Sequence, residues 1–347
     1  MNNHLRSLPA EWHRQDGIML VWPHADTDWF STLHEVTRCY IEIARNIVLD
    51  EQLIIVAPSV EMVQSYFSFD VTGPESKIHV ITAASNDTWA RDMGPITVID
   101  NGTPLPLNFK FNAWGMKFAA NHDNQINLEL EKAGLFKTGL ENHLDMVLEG
   151  GSIESDGNGT LMTTSQCLLS PNRNEQWDRS DIEQQLMTRF GARKVLWLDY
   201  GFIAGDDTDS HIDTLARFAP NNTIIYCGCN APADIHYDEL QHMKEQLATF
   251  TDADGNPYRL IELPIPEPIF DNDDNRLPAT YANFLITNRS VLVPTYNQPT
   301  LDLKALDAIS QAFPNHQVKG IDCTPLIEQH GSLHCITMQF PENTLKF

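Results

Sequence analysis

The stretch Asp92-Met93-Gly94-Pro95-Ile96-Thr97-Val98-Ile99-Asp100-Asn101-Gly102-Thr103-Pro104-Leu105-Pro106-Leu107-Asn108-Phe109 holds one complete structural phrase. A carboxylate heads an apolar strand, Asp100-Asn101-Gly102 turns the chain, and a second strand returns. An Asn-Gly pair between apolar runs signals a hairpin, because both central residues of its tight turn need positive φ. The phrase recurs. Glu149 leads Gly151-Ser152-Ile153-Glu154, the turn Asp156-Gly157-Asn158-Gly159, then Thr160 to Thr164. His211 leads Ile212 to Phe218, the turn Pro220-Asn221-Asn222, then Thr223 to Cys227. Asn283 leads Phe284-Leu285-Ile286, the turn Asn288-Arg289-Ser290, then Val291 to Pro294. Cys335 leads Ile336 to Phe340, with no second strand after it. Successive lead residues stand about sixty positions apart, which reads as one supersecondary unit used five times; coincidence among generic α/β hairpins is the alternative. Five such units would close into a ring, and the lead residues would converge at one end of its axis.

Between the phrases the pattern alternates strand and helix, which is an α/β or α+β signature. Gly17-Ile18-Met19-Leu20-Val21-Trp22-Pro23 reads as a buried strand stopped by proline. Thr32 to Leu49 reads as a helix with Val36, Tyr40, Ile43 and Ile47 on its apolar face. Strands are predicted at Leu53 to Ala57, Ile78 to Thr82 and Val195 to Leu198, and a short helix near Val60 to Tyr66. Ser180-Asp181-Ile182-Glu183 has the form of a capping box opening a helix that ends before Gly191. Further helices fit Asp238 to Phe250 and Leu301 to Phe313, while Asp252 to Asn275 reads as loop with one strand.

The chain has 347 residues, long for one core and enough for two domains. Its 23 Lys and Arg against 47 Asp and Glu give a formal net charge of −24. That balance excludes nucleic acid and anionic membrane surfaces as partners and favours a cationic substrate, although acidity also serves solubility alone. The first residues lack the apolar core of a secretory signal, and no run approaches the roughly 18 apolar residues of a membrane span. The six cysteines at 39, 167, 227, 229, 323 and 335 form no short disulfide framework, so a cytoplasmic protein with reduced thiols is expected. Cys227-Gly228-Cys229 reads as a strand end rather than a zinc site.

The lead residues supply a nucleophile, a base and several carboxylates. That set suits a guanidinium, which is planar, permanently charged and presents its N–H groups in a rigid fork. Asp92 and Asp213, from different units, can accept that fork on opposite edges. Glu149 is a third candidate, either as anchor or as a partner behind the anchors. The carbon between the nitrogens is a poor electrophile, and a thiolate is the best protein nucleophile for it; Cys335 is the candidate. A free thiol has a pKa of about 8.5, so a bound cation or a charged His211 is expected to favour its thiolate. His211 would protonate the departing amine and then activate a water. Alternation along a strand would put His211 and Asp213 on one face, and would turn His334 away from the side of Cys335, so His334 is not taken as the base.

Other readings of the same residues stand beside this one. His-x-Asp on a strand is commonly a structural hydrogen-bonded pair. Glu149-Gly150-Gly151 also fits a plain glycine bulge. Trp89 and Trp114 suit either core packing or the flanks of a bound cation. A metal-dependent hydrolase would use Asp206, Asp207, Asp209, His211 and Asp213, although this run lacks the spacing of a calcium loop. An acidic binding protein is a further alternative, but mere binding needs no thiol.

The chain resembles the agmatine deiminase family, which also contains the bacterial peptidyl-arginine deiminases. The matching pieces are Trp89-Ala90-Arg91-Asp92-Met93-Gly94-Pro95, Phe111-Asn112-Ala113-Trp114-Gly115, Leu148-Glu149-Gly150-Gly151-Ser152-Ile153-Glu154 and Ser170-Pro171-Asn172-Arg173-Asn174. Gly205 to Asp213, Tyr281-Ala282-Asn283-Phe284, His334-Cys335-Ile336-Thr337-Met338-Gln339, Pro9-Ala10-Glu11-Trp12 and Trp22-Pro23-His24 match as well. The resemblance implies a single catalytic domain over residues 1–347. Its fold would be the five-bladed α/β propeller, or pentein, of guanidino-group-modifying enzymes, with five ββαβ-like units around a pseudo-fivefold axis. It implies Cys335 as nucleophile through an amidino-cysteine, His211 as acid/base, Asp92 and Asp213 as anchors, and Glu149 as a further acid. Trp89, Trp114, Asn283 and Asp207 are the remaining substrate-binding candidates. No metal or organic cofactor is expected, and a homodimer or larger homo-oligomer is. Two serines depart from the family pattern: Ser332 and Ser210 stand where glycines are usual, which bears on loop geometry more than on chemistry.

Agmatine ends in an amine, whereas free or peptidyl arginine ends in a carboxylate or amide. There is no arginine between Arg91 and Arg173, although Lys110 and Lys117 lie in that interval. A strongly acidic chain suits a dication. The expected activity is hydrolysis of a linear amidine C–N bond, converting agmatine to N-carbamoylputrescine and ammonia on the way to putrescine. Deimination of free or peptidyl arginine is the alternative.

Overall fold

In the computed structural model, residues 6–68, 71 and 76–347 are described. Among them the strands form five sheets. Four carry the expected phrase. Ile96–Asp100 pairs antiparallel with Thr103–Lys110, which pairs parallel with Glu141–Val147. Ile153–Ser155 and Thr160–Thr164 are antiparallel, and Lys194–Leu198 adds in parallel. Ala216–Ala219, Thr223–Cys227 and Arg259–Leu263 repeat the pattern, as do Leu285–Ile286, Ser290–Thr295 and Gln317–Asp322. A helix makes each parallel crossover: Ile126–Lys132, Arg179–Phe190, Tyr237–Leu247 and Pro299–Ser310. Parallel neighbours require such a crossover, which explains why hairpins and helices alternate in the sequence.

The fifth sheet joins the two ends of the chain. Thr337–Pro341, the strand after Cys335, pairs antiparallel with Gln15–Val21, with Met338 opposite Met19. Gln15–Val21 then pairs parallel with Gln52–Ala57, and that strand with Ile78–Thr82. The second strand missing after Cys335 is therefore supplied from the N-terminal segment. The Leu33–Asp50 helix crosses over this sheet and buries Val36, Tyr40, Ile43 and Ile47, the apolar face read from the sequence. The two-residue turns also behave as read. Asn101 and Gly102 take φ of 49° and 81°, and Asn221 and Asn222 take 60° and 52°.

Two local expectations are corrected. The capping box of the Arg179–Phe190 helix is Asp178 with Asp181, two residues before the predicted Ser180–Glu183 box. Aspartate caps as well as serine does, and the earlier position leaves Asp181 to return a bond to the Asp178 N–H. The segment Ile212–Leu215 is a helical turn, and its strand begins only at Ala216. The alternation argument for His211 and Asp213 therefore fails, and a different geometry brings them together. No described helix is long and apolar enough to cross a membrane.

Candidate active site

The lead residues sit on the short turns that precede the strands. Asp92 lies in the turn Ala90–Met93, Glu149 precedes the turn Gly150–Ser152, and His211 heads Ile212–Leu215. Helical turns replace strand ends here because each lead residue must aim sideways, away from the alternation of the strand behind it. A backbone bond from Arg91 N–H to the Cys335 carbonyl, 3.1 Å, ties the Asp92 turn to the cysteine loop.

These turns meet around Gly151. A Cβ there would lie 2.7 Å from His211 Nδ1, 2.8 Å from Asp92 Oδ1 and 3.2 Å from Asp213 Oδ2. Only a residue without a side chain lets three charged groups approach so closely. Gly151 N–H donates to Asp92 Oδ1 at 3.0 Å, and Trp114 Nε1–H donates to Asp92 Oδ2 at 2.9 Å. His211 Nδ1 lies 3.6 Å from Asp92 Oδ1. The Cys335 thiol lies 3.8 Å from Asp213 Oδ2. His211, Asp92, Asp213 and Cys335 are all buried.

Burial governs their protonation. It pushes the Cys335 thiol well above its ordinary range, and Asp213 and Asp92 push it further. Burial alone would lower His211, but Asp92, Cys167 and Glu149 outweigh it and hold the imidazole charged well above its usual range. Burial raises Asp92, with His211 opposing; burial also pushes Asp213 up, but its bond to His334 and the nearby charges of His334, His211 and Arg217 together outweigh that and lower it. The sulfur thus begins as a neutral thiol beside two acids. His211 lies 3.6 Å from Asp92, and the acids beside the thiol, Asp213 and Asp92, disfavour its thiolate.

A cleft of about 160 Å³ opens over this centre. Cys335, Asp92, Trp89 and Trp114 line its inner end, and Asp28, Asp87, Phe118, Asp207 and His330 line the rest. The Trp89 ring packs so closely on Gly331 that a Cβ there would fall 2.1 Å from the ring. Trp114 is presented by four successive left-handed residues, Ala113 to Met116, with φ from 51° to 86°. Three of these are not glycine, a cost of about 1–3 kcal/mol each. The Trp114–Asp92 bond and Asn112, which accepts from Gly115 N–H at 3.0 Å, hold this turn in place.

Other predicted site residues lie behind the cleft. Glu149 is fully buried, and both its oxygens accept from Arg173 Nε at 3.0 Å. Arg173 also donates to Asp209 Oδ2 at 2.6 Å and to the Thr208 carbonyl at 2.8 Å, pinning the loop that delivers His211. Asn283 Oδ1 accepts from the backbone N–H of His334 and Cys335, at 2.8 and 3.2 Å, and its Nδ2 stands 3.2 Å from the sulfur. It shapes the cysteine loop. Lys117 is engaged with Asp209 at 2.8 Å, so it is not a free cation for a substrate carboxylate.

The acidic run does not gather into the metal site of the alternative hydrolase reading. Asp206 accepts from Thr208 and Ser210, Asp209 meets Lys117 and Arg173, and Asp213 meets His334. Among the described residues the one group with metal-ligand proximity is Glu149, Cys167 and His211, whose donor atoms lie within 4.8 Å of one another. Its carboxylate is already taken by Arg173.

A sequence model of the Porphyromonas-type peptidyl-arginine deiminases matches residues 7–341. The chain belongs to that family. An agmatine deiminase of Pseudomonas fluorescens (strain SBW25) is 31% identical over 360 residues, covering 96% of this chain and 95% of that protein. A crystal structure from Porphyromonas gingivalis, provisionally named an arginine deiminase, is 47% identical with a TM-score of 0.92, covering 98% of this chain and 100% of that one. A C. jejuni agmatine deiminase with substrate bound is 38% identical with a TM-score of 0.91, covering 98% and 97%. The mixed α/β fold described above matches these deiminase structures.

Sequence reasoning missed part of this buried centre. Glu11, Arg91, Arg217 and His334 are buried around Asp213, and nothing in their local sequence marks them as one group. Burial of an arginine was a usable signal: Arg217 lies in an otherwise apolar strand, Ala216–Ala219. A charge there demands buried partners.

Proposed function

We propose that the protein hydrolyses agmatine to N-carbamoylputrescine and ammonia through a covalent thiouronium on Cys335. Residues 1–347 form one catalytic domain whose five sheets are the blades of a propeller around the cleft. The strongly acidic chain supports a small cationic guanidine as its partner rather than nucleic acid or a membrane surface, in a cytoplasmic homo-oligomer.

One observation carries the substrate choice. The cleft is lined by the carboxyls of Asp28, Asp87, Asp92 and Asp207, and among the described residues no lysine or arginine lines it. Burial together with neighbouring acids holds Asp87 at about 7 and Asp207 at about 6. Such acids attract a second positive charge and repel the carboxylate of free arginine. Agmatine brings a guanidinium for one end and an ammonium for the other.

Asp213 Oδ1 is buried and without a hydrogen bond among the described residues, which suits an acceptor waiting for a guanidinium N–H. Clamped between Asp92 and Asp213 and walled by Trp89 and Trp114, the guanidinium offsets the two acids that keep the thiol neutral. Cys335 then loses its proton to solvent through the cleft. The thiolate attacks the central carbon and forms a C–S bond. His211 gives its proton to one nitrogen, the C–N bond breaks, and ammonia leaves. The neutral imidazole takes a proton from water, and the hydroxide adds to the amidino carbon. Collapse breaks the C–S bond, returns the thiolate, and leaves a protonated urea that sheds its proton. Glu149 and Arg173 hold His211 in place throughout.

Purified enzyme offered agmatine, free arginine and an arginyl peptide in separate ammonia-release assays tests this. Agmatine is expected to give the highest kcat/KM. Faster turnover of arginine or of the peptide overturns the substrate assignment while leaving the cysteine chemistry standing.

A further inference from the structure

The two carboxylates of the clamp are supported differently. Asp92 rests on a backbone N–H and an indole. Asp213 rests on another titratable side chain: His334 Nδ1 lies 2.7 Å from Asp213 Oδ2, and His334 Nε2 meets Glu11 Oε1. Neutral imidazole has a single N–H and can satisfy only one of two carboxylates; imidazolium donates to both.

The surroundings agree with a charged ring. The other oxygen of Glu11 is held by Arg217, whose Nε donates to Glu154 Oε1 at 2.9 Å. Arg91 Nη2 lies 3.1 Å from Glu11 Oε1. The acids Glu11, Glu154 and Asp213 thus face the cations Arg91, Arg217 and His334, all buried. With all three acids ionised, the charges cancel when His334 carries one. An uncancelled charge at that depth costs several kcal/mol.

We infer that His334, held as an imidazolium between Glu11 and Asp213, is a positioning residue of the guanidinium clamp. It fixes Asp213 Oδ2, leaves Oδ1 free for the substrate, and tempers the negative charge that Asp213 presents to the Cys335 sulfur. Glu11, from the N-terminal segment, is the residue that holds the other ring nitrogen of His334. This rests on the reading of Asp213 as a clamp. It adds a dependence of the thiol on residues that do not line the cleft.

The test reads the thiol directly. Alkylation of Cys335 by iodoacetamide, followed by peptide mass spectrometry across pH 6 to 10 without substrate, reports how readily the thiolate forms. In His334→Gln the alkylation limb is expected to move up by about one pH unit, and kcat/KM for agmatine to fall about tenfold or more. Glu11→Gln keeps the ring but removes one of the two carboxylates that hold it, and should move the limb in the same direction and by less. A moved limb is a signature that loose packing, which slows alkylation equally at every pH, does not produce. An alkylation limb in His334→Gln that coincides with the unaltered enzyme overturns the proposal, as does a Glu11→Gln profile slowed equally at every pH. Should His334→Gln not fold, the Glu11→Gln profile alone decides. Because alkylation needs no substrate, a failed agmatine assignment leaves this readout intact.

Discussion

Gly151 donates its backbone N–H to Asp92 Oδ1 at 3.0 Å, and a Cβ on Gly151 would come within 2.7 Å of His211 Nδ1. The glycine lets Asp92, His211 and Asp213 share one small volume. Its replacement is therefore a geometric probe. Gly151→Ala is expected to push the three groups apart by tenths of an ångström or more, at about 1–3 kcal/mol of overpacking. The effect on turnover should be larger, about a hundredfold in kcat/KM, since misplacement near the reacting atoms is costly. Thermal unfolding and steady-state kinetics on the same preparation check this. Near-normal kcat/KM would mean that His211 and Asp92 need not be held together.

Cys335→Ala should abolish ammonia release while agmatine still binds, because the clamp and the aromatic walls remain. Quenching the unaltered enzyme during turnover and measuring its intact mass should reveal an amidino adduct confined to the peptide containing Cys335. The thiol is pushed upward by burial and by Asp213 and Asp92. Without substrate it should alkylate slowly at pH 7 and faster as pH rises. Fast alkylation at pH 6 would contradict a thiol kept neutral by its acids.

Much of this arrangement was legible in the chain, for identifiable reasons. The five lead residues stood out because each precedes an apolar strand and a turn with its own chemistry. The sheets of the first four units follow that reading; the pairing of the Cys335 strand with Gln15–Val21, which completes the fifth, was not read from the sequence. What failed was local extrapolation. His211-Ile212-Asp213 was read with strand alternation, yet it forms a helical turn, since a turn aims both groups at Gly151. His334 was set aside as facing away from the site, yet it binds Asp213. The Glu11–His334 contact spans 323 positions, and neither residue carries a local pattern that announces it. Long-range charge pairing in a buried interior leaves little trace in a single sequence.

Ser210 and Ser332, the two serines beside the site, are expected to respond oppositely to replacement by glycine. Ser210 has φ of 62°, and Asp209 before it 67°, so the loop entering His211 holds two left-handed non-glycine residues in succession. Ser210→Gly should relieve about 1 kcal/mol of strain, raising Tm by roughly 2 °C. Ser332 shows no such strain, and its hydroxyl lies 3.0 Å from the Tyr296 hydroxyl in a buried pair. Ser332→Gly should lose that bond, cost about 1 kcal/mol, and loosen the loop before Cys335. Differential scanning calorimetry of both variants checks the opposite signs. Equal losses in both would show that Ser210 is not strained.

The acids of the cleft give substrate binding its own pH dependence. Asp207 titrates at about 6 and Asp87 at about 7, raised by burial and neighbouring acids. Below those values both are neutral and attract an ammonium weakly; above them both are charged. KM for agmatine should therefore fall as pH rises from 5.5 to 7.5, separately from the bell-shaped kcat expected of a coupled thiol–imidazole pair. The same shifts set the sign for stability. A carboxyl that keeps its proton in the fold but would lose it near pH 4 when unfolded makes the folded state bind more protons over that interval. These groups therefore contribute stability below about pH 4 that is lost as pH climbs through 6 to 7. Agmatine, which favours the ionised acids, should restore it, so the rise in Tm on adding agmatine should be larger at pH 8 than at pH 5.5. Asp87→Asn should remove the part of the KM trend centred near pH 7 and weaken agmatine binding at pH 8. A KM independent of pH across 5.5 to 7.5 would show that these carboxyls do not hold the far end of the substrate.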